Sequence, residues 1–141
     1  MTQVWFALMP SANVQLSAGG NTTAVRWTKV EGNAVNVGLA FDHAEILAIA
    51  LERLRSKVEY TSLPAYLLPE EFTLGELQRA YEIVLGRDVD KSGFRTRIRS
   101  AELVVEVRRQ RVGSNRPAQL YRLKDRRQPV FFPRTFSPRT E

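Results

Sequence analysis

The stretch FTLGELQRAYEIVLGRDVDKSGFRTRIRSAELVVEVRRQRVGSNRPAQLYRL, from Phe72 to Leu123, decides the fold. Thr73-Leu74-Gly75-Glu76 has the spacing of a capping box, in which a hydroxyl and a carboxylate each satisfy a backbone N–H that a helix start leaves without a partner. The helix it opens carries Leu74, Leu77, Tyr81 and Val84 on one face, and Gly86 suits a left-handed cap at its end. Arg87-Asp88-Val89 makes a short turn, after which Asp90 caps a second helix running to about Ser100. Phe94, Ile98 and Ala101 share one side of that helix. At about 100° per residue, Ser92, Arg95, Thr96 and Arg99 fall on the other, with Lys91 and Arg97 at the flanks. Two strand-like runs, residues 103–109 and 119–123, flank the turn-rich Gly113-Ser114-Asn115-Arg116-Pro117 and predict a hairpin. Residues 119–123 alternate imperfectly, which leaves the register open. Helix, short turn, cationic helix and cationic hairpin follow in the order of a winged helix-turn-helix module.

Charge is concentrated in the same stretch. The chain holds 21 Lys and Arg against 15 Asp and Glu; residues 87–127 carry 13 of the cations and 5 of the acids, while residues 1–86 are net acidic. Within 87–127 all the cations except Lys91 and Lys124 are arginines, whose planar fork fits phosphates and guanine edges. Double-stranded DNA is therefore the expected partner, since a helix fits the major groove and reads bases with forked or short polar side chains. Arg95 and Arg99 are the candidates for guanine contacts, and Ser92 and Thr96 for shorter contacts to base or phosphate. Lys91, Arg97 and the hairpin residues Arg109, Arg111 and Arg116 are candidates for phosphates or a minor-groove insertion. Thr73, at the start of the preceding helix, completes the DNA-binding set.

Other chemistries have little to work with. The absence of cysteine excludes disulfides, thiol catalysis and thiolate zinc sites, and one histidine leaves little for a metal centre or a Ser-His-Asp relay. Asp42, Glu45 and Glu52 lack the paired arrangement of general acid/base work, so no catalytic residue, metal or cofactor is expected. No apolar run approaches the roughly 20 residues of a membrane helix and no signal peptide opens the chain, giving the expectation of a cytoplasmic protein.

Upstream, Asp42 and Glu45 form an acidic variant of the capping box. Ile46, Leu47, Ala50, Leu51, Leu54 and Val58 then make a helical stripe that predicts a helix from about His43 to Val58, with Arg53, Arg55 and Lys57 at its end. Residues 4–9 and 24–30 read as strands, and two strands alone need a helix, a partner chain or a further segment to cover them. His43 reads as a local packing or capping residue, and Trp5, Phe6 and Trp27 as core aromatics rather than a nucleotide platform. The boundary falls at Tyr60-Thr61-Ser62-Leu63-Pro64. This gives a segment at 1–59, a winged-helix domain at 60–127 and a proline-bearing tail at 128–141, whose Phe131, Phe132 and Phe136 could dock on a neighbour.

FDHAEIL (Phe41 to Leu47), YTSLPAYLLPEEFTLGELQRAYEIVLGRDVDKSGFR (Tyr60 to Arg95) and RPAQLYRL (Arg116 to Leu123) closely resemble the C-terminal part of the Nudix-related transcriptional regulators. The resemblance runs from about Val4 to Arg127 and is strongest from Phe41 on. It implies an α+β chain in which a truncated Nudix-like α/β segment precedes a winged helix-turn-helix DNA-binding domain. It further implies a homodimeric repressor of genes of NAD metabolism or sugar utilisation, with an ADP-ribose-like effector. On this resemblance Lys91, Ser92, Arg95, Thr96 and Arg97 occupy the recognition helix and Arg116 the wing. Two departures stand out. The family usually carries a basic residue and then Asn where this chain has Ser92-Gly93, so the target sequence is expected to differ. The Nudix box that holds magnesium is missing, Glu70-Glu71 being the sole acidic pair, so the sequence reads as a member that begins after the box. The alternatives are a winged-helix module for protein or RNA, and half of a split Nudix hydrolase completed by a partner chain.

Overall fold

Each helix of the decisive stretch begins and ends where its capping residues dictate. In the computed structural model, which describes residues 4–10, 14–112 and 117–133, the Thr73 hydroxyl accepts from the Glu76 N–H at 3.1 Å, while the Glu76 carboxylate accepts from the Thr73 N–H at 2.7 Å. This starts α2 (Leu74–Leu85), which Gly86 ends at φ 70°, its N–H donating to the Glu82 carbonyl at 2.9 Å. Asp90 caps α3 (Lys91–Ser100) through the Gly93 N–H at 2.5 Å. The expected faces form. Leu74, Leu77, Tyr81, Phe94 and Ile98 are buried, with Leu85 buried and Val84 half-buried beside them.

Three strands complete the domain: β3 (Phe72–Thr73), β4 (Val104–Arg111) and β5 (Ala118–Leu123), antiparallel in the order β3-β5-β4. The central place of β5 accounts for its imperfect alternation: Leu120 and Tyr121, on opposite faces, are both buried. Between the pairs Glu106↔Tyr121 and Gln110↔Gln119 the register shifts, because β4 spends four residues where β5 spends two. The Gln119 side-chain amide fills this irregularity, donating to the Val107 carbonyl at 2.5 Å and to the Leu120 carbonyl at 3.1 Å.

The chain divides into two compact units, Met1–Arg53 and Leu54–Glu141. The division lies inside α1 (His43–Glu59) rather than after it, because Leu54 packs on the core of the second unit and Val58 is fully buried in it. The expected separate tail is likewise corrected for its first residues. Val130 and Phe132 pack on the same core, and Thr61 and Phe131 form an antiparallel bridge, so residues 130–132 dock on their own domain. Phe136 lies outside the described residues.

The first unit departs further from expectation. Apart from α1, its regular structure among the described residues is a two-residue ladder of β1 (Val30–Glu31) with β2 (Ala34–Val35), turning at Gly32 with φ 58°. Residues 4–9 and 24–29 are not strands. An apolar run or an alternation records a preference for extended backbone, but a strand exists only where a second backbone answers its N–H and C=O groups, and none does among the described residues. Trp5 (83% exposed) and Trp27 (60%) consequently stand in solvent rather than in a core or a nucleotide pocket.

Candidate nucleic-acid interface

The free face of α3 follows from burial of the other. Phe94 lies edge-on to Tyr81, ring centroids 5.3 Å apart, and Ile98 is fully buried, so Lys91, Ser92, Arg95, Thr96 and Arg99 are all exposed. Tyr81 locks this packing: its buried O–H donates to the Thr61 carbonyl at 2.8 Å, and burial pushes its phenol far above the usual range. At the start of α3 the Ser92 hydroxyl donates to the Asp90 carboxylate at 2.8 Å. Gly93 has a reason to be glycine, since a Cβ there would come within 2.9 Å of the Asp90 Oδ2 that caps the helix.

The cations fall into two groups. Among the described residues no carboxylate forms a salt bridge with Lys91, Arg95 or Arg99, whereas two wing arginines are held: Arg109 by Glu71 at 2.5 Å, and Arg111 by Glu76. Glu76 therefore serves two partners, one oxygen capping α2 and the other taking Arg111. Its partial burial alone would raise its pKa, but the Thr73 N–H and Arg111 outweigh that and hold it below the usual carboxylate range. Thr73 is half-buried with its hydroxyl engaged in the cap, and Arg97 lies with its guanidinium carbon 4.8 Å from the ring centroid of Phe132. Arg116 lies outside the described residues. The structure thus brings Lys91, Ser92, Arg95, Thr96 and Arg99 together on one surface, with Arg109 and Arg111 on the wing strand, and turns Thr73 and Arg97 toward internal partners.

Sequence reasoning missed several supports of this surface. Arg55 of α1 donates to the Val84 carbonyl at 3.3 Å and lies against Gly86, where an added Cβ would meet it at 3.2 Å. Glu59 pairs with Arg87, in the turn between α2 and α3, at 2.9 Å. The last turns of α1 thus brace the turn that sets the angle of α3. Beyond β5, Arg122, Lys124, Arg126 and Arg127 line a hollow of about 380 Å³ with Glu70 and Asp125. Most of these cations have internal partners: Lys124 with Glu102 at 2.6 Å, Arg127 with Asp125 at 3.0 Å, and Arg126 with the Leu68 carbonyl at 3.1 Å.

Two helices joined by a short turn, the second cationic and followed by a two-stranded wing, define a winged helix-turn-helix protein. Residues 64–123 match the family described as the NrtR DNA-binding winged helix domain. A curated relative, the ADPR responsive transcriptional repressor NtrR of Acinetobacter baylyi, is 43% identical over 108 residues, covering 77% of this chain and 43% of that protein. The crystal structure of Shewanella oneidensis NrtR complexed with a 27mer DNA superimposes with a TM-score of 0.60 and 36% identity, over 72% of this chain and 47% of that one. A second structure of Shewanella oneidensis NrtR gives 0.59 and 40%, over 71% and 45%. The chain spans less than half the length of these relatives. No helix among the described residues is long and apolar enough to cross a membrane.

Proposed function

We propose that this chain is a sequence-specific, double-stranded-DNA-binding transcriptional repressor that places α3 in the major groove. One observation carries the reading: Ser92, Arg95, Thr96 and Arg99, with Lys91 at the flank, form a continuous exposed face on the side of α3 that the buried Phe94 and Ile98 leave free, with no carboxylate bridged to its cations among the described residues. Arg95 and Arg99 contact guanine edges, Ser92 and Thr96 make the shorter contacts, and Lys91 with Arg109, Arg111 and Arg116 binds phosphates. Exchanging a carboxylate for a phosphate lets Arg109 and Arg111 engage DNA without first being ordered. The name of one relative, an ADPR responsive transcriptional repressor, supports a repressor answering to an ADP-ribose-like effector; that it acts as a homodimer in the cytoplasm, on genes of NAD metabolism or sugar utilisation, is part of the same proposal. On this reading residues 1–59 are the remainder of a Nudix-like domain and the chain is not an enzyme.

The test is selection of bound duplexes from a random pool at physiological salt, with Arg95→Ala and Arg99→Ala in parallel. An enriched motif is expected, with each substitution costing about 1–3 kcal/mol at particular base pairs. Salt-sensitive binding with no enriched motif would overturn the reading, because phosphate attraction alone selects no sequence.

A further inference from the structure

The segment after the wing lies beyond residues 64–123, yet it reaches the recognition helix. Residues 130–132 run antiparallel to residues 60–62: the Ser62 N–H donates to the Val130 carbonyl at 3.0 Å, the Phe132 N–H to the Tyr60 carbonyl at 2.7 Å, and the Val130 N–H to the Ser62 hydroxyl at 2.8 Å. The receiving strand is itself fixed, since the Thr61 hydroxyl donates to the Lys57 carbonyl at 2.8 Å and the Thr61 carbonyl accepts from Tyr81. Strand alternation then sends Phe131 outward, 66% exposed, and Phe132 inward, 5% exposed, beneath the Arg97 guanidinium.

Arg97 differs from its neighbours Arg95 and Arg99 in being half-buried. Burial lowers its pKa while Tyr81 and Glu59 push the other way, which describes a cation drawn toward the domain and answered there. The geometry gives this contact a task. Phe94 and Ile98 are four residues apart, so they lie almost along one line of the helix and resist its tilting more than its rolling about its own axis. Arg97 stands about 100° around the helix from Ile98, off that line, where a contact acts as a lever against roll. Base-reading side chains on the opposite face need placement within about 0.5 Å and 10–20°, so roll is the motion that would blur them.

We propose that residues 130–132 are a positioning strap for α3, in which Phe132 holds Arg97 and thereby fixes the roll of the recognition helix, with Arg97 acting inward rather than on DNA. The consequence for sequence preference rests on the repressor reading; the strap itself does not. The first measurement is therefore amide hydrogen exchange in the full chain. Phe132→Leu, which keeps apolar volume and loses the ring, is expected to speed exchange in α3 several-fold more than in α2, and Phe132→Tyr is expected to restore it. Unchanged α3 exchange in Phe132→Leu overturns the strap, whether or not the chain binds DNA. Arg97→Met serves as a second variant if Phe132→Leu does not fold, and the same rise in α3 exchange is expected of it. On DNA, both are expected to reduce preference for the selected motif about tenfold, the scale of one weakened base contact, while non-specific affinity stays unchanged. Arg97→Met is also expected to leave the slope of log affinity against log salt unaltered. A slope reduced by about one would place Arg97 on a phosphate and overturn its inward role. If the wild-type chain enriches no motif, the repressor reading has failed, and the exchange result alone upholds or overturns the strap.

Discussion

Residues 54–133 and residues 4–53 draw on the same apolar side chains and use them differently. In the first region the core aromatics Phe94, Tyr81 and Phe132 each have a partner from another element: Phe94 meets Tyr81, Tyr81 bonds Thr61, and Phe132 meets Arg97. In the second, Trp5, Phe6, Trp27 and Phe41 are all more than half exposed, and the ladder is two residues long. Apolar patterning is thus necessary for a core without being enough for one; what separates the regions is whether distant elements supply the opposing surface.

The widest effect expected follows directly. Phe94→Ala should destabilise the chain by about 3–5 kcal/mol in urea unfolding, because it removes the transfer term and leaves a cavity against Tyr81. Trp5→Ala should stay within about 0.5 kcal/mol, as surface substitutions do. A Trp5→Ala cost above about 2 kcal/mol would break the comparison, since it would mean that residues 4–53 bury that ring in solution.

What could be read from the sequence divides along the same line. The caps at Thr73, Gly86 and Asp90, the two helices between them and the exposed face of α3 were legible, because each depends on groups three or four residues apart along one helix. The features that place that face were not. Ser62 meets Val130 across 68 residues, Arg109 meets Glu71 across 38 and Arg111 meets Glu76 across 35, and no local period encodes such pairings. The Phe131-Phe132 pair in a polar tail was the available signal for the strap, and it pointed to burial without saying against what. The same limit applies to the apolar run of residues 4–9 and the alternation of residues 24–29: a local pattern favours a strand but does not say whether a second backbone pairs with it.

Gly93 gives a smaller and sharper contrast within α3, because the feature that sets it apart from the family pattern also has a structural role. A helix glycine costs about 1 kcal/mol relative to alanine, yet here it leaves room for the Asp90 carboxylate, itself worth about 1 kcal/mol as a cap. Gly93→Ala should therefore change stability by less than about 0.5 kcal/mol in the wild-type chain, its gain offset by displacement of the cap. In an Asp90→Ala background the same substitution should stabilise by about 1 kcal/mol. Thermal or urea unfolding of the four variants completes the cycle. Equal effects in both backgrounds would show that Asp90 caps the helix without needing the space.

The smallest effect concerns the junction of helix and wing. Glu76 has a pKa lowered in the folded chain, so its charged form favours folding. That contribution is fully present above the ordinary carboxylate value of 4.5 and is lost as pH falls through the lower folded value. Glu76→Gln should accordingly make stability fall less steeply below about pH 4.5 than in the wild-type chain. At neutral pH it should cost only a modest amount, because a solvent-accessible ion pair contributes little and the glutamine oxygen still accepts from the Thr73 N–H. Urea midpoints taken across this acid range measure the difference. Parallel pH profiles would mean that the Thr73 and Arg111 contacts do not favour the ionised carboxylate, and that the wing is tied to α2 by the sheet alone. A shallower profile would show that one carboxylate starts the helix before the recognition helix and restrains Arg111 on the wing at the same time.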